Sequence, residues 1–211
     1  MDRGISVRNL VKALAVSARE EILKTIRRHL PEASPLPSHD GPWIEYPDPI
    51  AQFSAVLEMI GGQCFPVRDI AAVNQVLESL PLWNSAEKRL SLIPGVGESN
   101  VEWDTIQNPH DLEDVDFAIL PAEFAVAENA AVWVTDRALR HRVIYFLCEH
   151  LAVVVPRSEV LSNLNQAYQR LSFTEPRFGA FIAGPSKTAD IEQSLVIGAH
   201  GPRSMTVFLV G

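Results

Sequence analysis

Two cysteines in 211 residues, Cys64 and Cys148, are too few and too far apart for a disulfide framework. Both sit in apolar company, which fits buried thiols in a reducing compartment. The same scarcity excludes an iron–sulfur cluster held by this chain alone, since a cluster needs about four thiolate ligands. No run approaches ~18 uninterrupted apolar residues, so no membrane-spanning helix is expected. Residues 1–25 carry charges throughout, with no apolar core leading to a cleavage site, and do not read as a signal peptide. Cationic charge is also short: 18 Lys and Arg against 26 Asp and Glu leave a net charge of −8. Non-specific nucleic-acid binding and an anionic membrane surface both draw on cationic contacts and are disfavoured. GxGxxG, HExxH, CxxC and the Walker phosphate loop are all missing, so neither a nicotinamide nor a metal site is indicated. What remains is a cytosolic globular protein, long enough for one α/β domain, in which any anion site is local.

Apolar periodicity supplies the elements. Val16–Leu30 reads as a helix with Ser17 at its cap, Glu20 completing a capping box, and Ile22, Leu23, Ile26 and Leu30 as its stripe. Six prolines between 31 and 49 make the next segment an extended connector. This places an N-terminal helical arm and connector over 1–48 and the main domain over 49–211. Within that domain Ile50–Ile60, Val67–Leu80, Arg137–Cys148, Ser158–Leu171 and Lys187–Leu195 read as helices. Gln63–Val67, Val115–Leu120, Ala130–Val134, Leu151–Val155, Arg177–Ala183 and Thr206–Val210 read as strands, with Leu90–Ile93 an apolar run leading into Pro94 and Gly95 and 121–128 a turn or short helix. Helices alternating with apolar strands imply an α/β fold: three layers, a mostly parallel sheet with helices on both faces.

Polar residues cluster at four places. Gly184, Ser186, Lys187, Thr188 and Asp190 follow an apolar strand, and Ser186 is placed to cap the next helix. A helix N-terminus with such donors suits a phosphate or carboxylate, although a capped turn that binds nothing is the favoured reading on spacing alone. Gly198, His200 and Gly201 keep an imidazole near the backbone, where it serves as acid, base or ligand, or is simply satisfied in a turn. Glu128 and Asn129 precede a buried strand, where an acid is a nucleophile, a base or a hydrogen-bond acceptor for substrate, although a solvated loop acid is the favoured reading taken alone. Glu149 and His150 open the LAVVV strand, and strand alternation sends them to opposite faces.

Together these residues resemble a known family. GPSKTADIEQSLVIGAHGP (184–202) closely resembles the C-terminal motif of the lactate-utilisation (LUD) domain family, in its lactate-utilisation protein C branch. Asp116 in VDFAIL, AENAAVWV, EHLAVVVP and the SAREEILKTIRRHL arm are further matches. The resemblance implies a fold like that of ribose-phosphate isomerase, glucosamine-phosphate deaminase and the CoA-transferases, with ligands at the carboxyl ends of parallel strands. It implies ligand contacts from Gly184, Ser186, Lys187, Thr188, Asp190, Gly198, His200, Gly201, Asn129 and Asp116, with Glu128 and His200 as the catalytic candidates. It also implies iron–sulfur partner subunits that oxidise L-lactate to pyruvate, while this chain binds no cofactor of its own. One departure stands out: Ala130 occupies the position of the family's Glu-Thr-Gly or Glu-Asn-Gly glycine. If that glycine supplies a positive φ, Ala130 argues against a CoA-transferase mechanism.

The leading expectation is therefore a non-redox component of a lactate-oxidation system that binds a small carboxylate or other organic anion. The alternatives are a free-standing acyl or CoA transferase or isomerase using Glu128, and a metabolite sensor signalling through its N-terminal arm. A homo-oligomer is compatible with each.

Overall fold

The apolar run at 150–156 forms the middle strand of the molecule, buried on both faces as its composition requires. The computed structural model describes residues 7–32, 34–35, 37–38, 41–137, 139–172, 178–188 and 196–211, with the backbone alone for 7–17. They fall into two units, Met1–Pro42 and Trp43–Gly211.

The first unit contains α1 (Val7–Arg28), longer than the expected Val16–Leu30. Ser17 falls within the helix rather than at its start, because Ala13-Leu14-Ala15 ahead of it favours helix and no breaker intervenes. Arg27 and Arg28 in its last turn complement the helix dipole.

The second unit opens with α2 (Pro49–Met59). Asp48 accepts from the N–H groups of Ile50 and Ala51 at 3.1 and 3.0 Å, and Pro49 supplies a pre-set φ in the first turn. Gly61, at φ +89°, ends it and turns the chain into β1 (Gln63–Val67). Then come α3 (Ile70–Ser79), capped by Asp69, α4 (Pro81–Ser85), β2 (Arg89–Ser91) and β3 (Phe117–Pro121). Next are β4 (Phe124–Val126), β5 (Ala131–Thr135), α5 (Ile144–Leu147) and β6 (His150–Pro156). The chain closes with β7 (Val160–Leu161), α6 (Leu164–Arg170), β8 (Gly179–Ile182), β9 (Lys187–Thr188), β10 (Val196–Ile197) and β11 (Ser204–Val210).

The central sheet has the order β1-β11-β6-β3-β2, and every pair in it is parallel. Alternate residues feed two cores, as the strand period demands. Leu151, Val153 and Val155 join Phe53 and Leu57 of α2, Ile144 and Tyr145 of α5, and Val132 and Val134 of β5. On the other face Ala152, Phe117, Ile119 and Phe208 meet Val73 and Leu77 of α3 and Trp83 of α4. The α/β architecture with a mostly parallel central sheet is thus as expected, with one addition. Part of one face is covered by a second sheet, β7-β4-β5-β8, in which only β4 and β7 are parallel. Gly179 of β8 is required there, because a Cβ would sit 2.1 Å from the Trp133 ring.

Four local expectations are corrected. Residues 124–126 are strand rather than turn or helix, since Phe124, Ala125 and Val126 are all buried between β5 and β7. Residues 137–148 hold only one helical turn. Arg140 donates to Asp104 O at 2.8 Å and His141 Nε2 lies 3.0 Å from Ile106 O, which tethers the segment before it can coil. In 158–171 the helix starts only at Leu164. Val160 and Leu161 pair in the second sheet, and Asn163 caps Gln166 N at 2.9 Å. Lys187 and Thr188 are strand, and the remainder of the expected 187–195 helix lies outside the described residues.

Candidate ligand site

β9 and β10 run antiparallel, Val196 opposite Thr188 and Ile197 opposite Lys187, so the two polar turns of 184–202 are the arms of one hairpin. Ser186 N donates to Pro202 O, and Gly198 N donates to Ser186 O, both at 2.9 Å. Ser186 is therefore an extended residue stitched to the second turn and does not cap a helix. Lys187 Nζ donates to Ile60 O at 2.5 Å, and that ammonium is committed to the backbone ahead of β1. Gly184 turns the chain at φ +69°. At Gly198, φ is +78° and a Cβ would lie 2.2 Å from Arg203 Cγ, so only glycine lets the loop close on Arg203. Thr188 is half-buried, and Asp190 lies outside the described residues.

This hairpin meets the sheet at the amino ends of β11 and β6, not at the carboxyl ends that the family resemblance implied. Arg203 N donates to Glu149 O at 2.7 Å immediately before the two strands pair as Ser204 with His150. The reason is connectivity: β10 and the loop after it feed directly into the first residue of β11.

A cavity of about 500 Å³ opens here, walled by Phe146, Cys148, Glu149, His200, Gly201 and Arg203 among others. Arg203 Nη1 donates to Glu149 Oε1 at 2.6 Å. The side chains are 64% and 40% exposed, so the pair is worth at most about 1 kcal/mol and can open for a competing anion. His200 stands exposed on the loop between the glycines. Cys148 is fully buried, and burial pushes its thiol up to about 12, which keeps it protonated and unreactive.

Behind the ion pair, His150 Nδ1 lies 2.8 Å from Ser204 Oγ, and Nε2 lies 4.0 Å from Glu149 Oε1. Burial lowers the His150 pKa; Glu149 opposes this, Arg203 adds to it, and Asp116 opposes it. The imidazole is thus neutral at neutral pH, a hydrogen-bonding rather than a charged neighbour. Strand alternation was expected to part Glu149 from His150. It does not, because Glu149 precedes the first residue of β6 and its side chain is not fixed by the pleat.

The other candidates are engaged in structural contacts elsewhere. Glu128 Oε2 accepts from Leu164 N at 2.9 Å, at the N-terminus of α6. Asn129 Oδ1 accepts from Ala131 N at 3.1 Å, and Asp116 Oδ2 accepts from the N–H groups of Glu87 and Lys88 at 2.8 Å each. Asp116 bears on the site through its charge on His150 and through its backbone carbonyl, which accepts from His150 N at 2.8 Å. Arg203 and Phe146 are site residues that sequence reasoning missed. The one available signal for Arg203 was its place directly after Gly201-Pro202 and ahead of a buried strand. Among the described residues, no group of three or more His, Cys, Asp or Glu is placed to hold a metal ion, and no helix is long and apolar enough to cross a membrane.

A family model described as the LUD domain matches residues 7–210. The chain belongs to the LUD-domain family, in its lactate utilization protein C branch. Lactate utilization protein C of Geobacillus thermodenitrificans is 33% identical over 110 residues, covering 49% of this chain and 46% of that protein. The protein of the same name from Exiguobacterium sp. is 31% identical over 126 residues, covering 56% and 55%. This LUD chain spans about half the length of the curated relatives it matches. In fold it is similar to a DUF162 family protein from Deinococcus radiodurans. That likeness has a TM-score of 0.56 at 16% identity and covers 77% of this chain and 96% of that one.

Proposed function

We propose that this LUD protein is a component of an L-lactate utilisation system and binds a small organic anion in the cavity at the amino ends of β6 and β11. The names of its relatives support the system, and the Arg203–Glu149 pair beside His200 supports the site. A ligand carboxylate competes with Glu149 for the Arg203 guanidinium, whose planar fork matches two carboxylate oxygens. The incoming anion keeps Arg203 paired, and the displaced Glu149 carboxylate, 40% exposed, is left to solvent. His200 is then within the same cavity to hydrogen-bond a hydroxyl or keto oxygen on the neighbouring carbon.

Oxidation of lactate to pyruvate releases two electrons and two protons. Neither the buried, protonated Cys148 nor the distant Cys64 provides a cluster for those electrons. The reading therefore assigns electron transfer to iron–sulfur partner subunits and anion binding to this chain. Affinity purification of the full chain under anaerobic conditions tests it. Recovery of a protein with an iron–sulfur absorbance is expected, and repeated recovery of the chain alone would contradict the assignment of partners.

A further inference from the structure

The strongest unassigned feature lies beside β2, among residues that take no part in the His200 cavity. Arg89 opens that strand, with its backbone N–H held by Asn100 Oδ1 at 2.8 Å. Its guanidinium lies over Trp83, Cζ 5.2 Å from the ring centroid. Arg89 Nε is buried with no hydrogen-bond partner, and no described carboxylate forms an ion pair with this side chain. The contrast with Lys88, Arg170 and Arg203, each paired to an acid, is informative. Arg89 also lines a cavity of about 430 Å³ whose rim carries Glu78 and Glu98, and neither reaches it. A cation and two carboxylates sharing one cavity without pairing is an arrangement that asks for a molecule between them.

The walls are set before anything binds. Asn74 Nδ2 donates to Gly95 O and Gly97 N donates to Asn74 Oδ1, both at 2.8 Å, so one side chain pins both glycines of the loop to α3. Gly97 sits at φ +60°, and a Cβ there would lie 2.8 Å from the Trp83 ring. Trp83 in turn meets Phe117 edge-on at 5.3 Å. The indole is therefore fixed, and it holds the guanidinium by stacking rather than by a charge. Because Nε is buried, only the terminal nitrogens are open to a ligand.

We propose that this cavity is a second ligand site, for a small organic acid that also carries a hydroxyl or ammonium donor. The carboxylate lies end-on against Arg89, and the donor faces Glu78 and Glu98. Charge complementarity requires both functions in one molecule: a bare anion meets Arg89 but also two like charges, and a neutral polyol leaves Arg89 unpaired.

Full-length protein labelled with 5-fluorotryptophan supplies the test, the Trp83 resonance being assigned with Trp83→Phe. D-Glycerate and L-serine are expected to move that resonance at concentrations about tenfold below those needed by propionate, with glycerol inert. Arg89→Gln should weaken both ligands about tenfold or more. The surface pair Glu78→Gln with Glu98→Gln, which leaves the fold intact, should weaken them while leaving propionate unchanged or improved. Arg203→Gln should change none of these, so failure here is distinct from failure at the His200 cavity. Equal binding of propionate and glycerate, or an unchanged response in Arg89→Gln, would overturn the proposal.

Discussion

Ala130 has φ +54° and is fully buried, a combination that L-residues rarely adopt. A glycine would take this left-handed backbone easily, and the alanine bears its strain, about 1–2 kcal/mol. Glycine would relieve that strain but would forfeit a buried methyl, about 0.8 kcal/mol, and widen the unfolded ensemble by about 0.5–1 kcal/mol. These terms nearly cancel, so Ala130→Gly should leave stability within about 0.5 kcal/mol of the parent in denaturant melts. Ala130→Val adds a branched Cβ in a filled core and should cost about 2 kcal/mol or more. At His150 the depressed pKa carries a sign. The unfolded chain binds the proton more readily, so stability is full above the ordinary histidine range. It falls as pH drops through that range toward the lower folded value. Thermal melts between pH 5 and 8 should show this slope, and His150→Asn should flatten it.

Among the elements, those with clean patterns were legible in the chain: β1, α2 and β6 appear where apolar alternation, an Asp-Pro start and a Gly-Gly stop placed them. The 184–202 hairpin was not. Its donors look like a helix start, but Ser186 is tied to Pro202 across the hairpin, a long-range bond that no local pattern encodes. The second sheet was hidden for the same reason, because Val160 and Leu161 are strand only by pairing with β4. Glu128 illustrates what such placement does to a candidate nucleophile: its carboxylate serves the first turn of α6. Glu128→Gln should cost about 0.5–1 kcal/mol of stability, from a lost charge at a helix N-terminus, and leave ligand binding unchanged. Loss of an activity with stability preserved would instead favour the free-standing transferase.

In the molecule as a whole, five parallel strands bring Asp116, Glu149, His150, Arg203 and Ser204 to one edge from segments up to 88 positions apart in sequence. The residue types at this edge were partly visible in the chain, with Glu149 and His150 adjacent and His200 between glycines. Which edge they occupy depends on strand order, and the family resemblance pointed to the opposite one. A pairing such as Arg203 with Glu149 exists only once β11 lies beside β6. The most direct measurement is the unfolding temperature of the full chain with L-lactate or pyruvate present. A ligand at about 100 times its dissociation constant stabilises the fold by about 2.7 kcal/mol, a rise of roughly 5–11 °C for a domain of this size. Such a rise in the parent, lost in Arg203→Gln and reduced in His200→Ala, is the predicted result. No rise with either acid, or the same rise in Arg203→Gln, would contradict it.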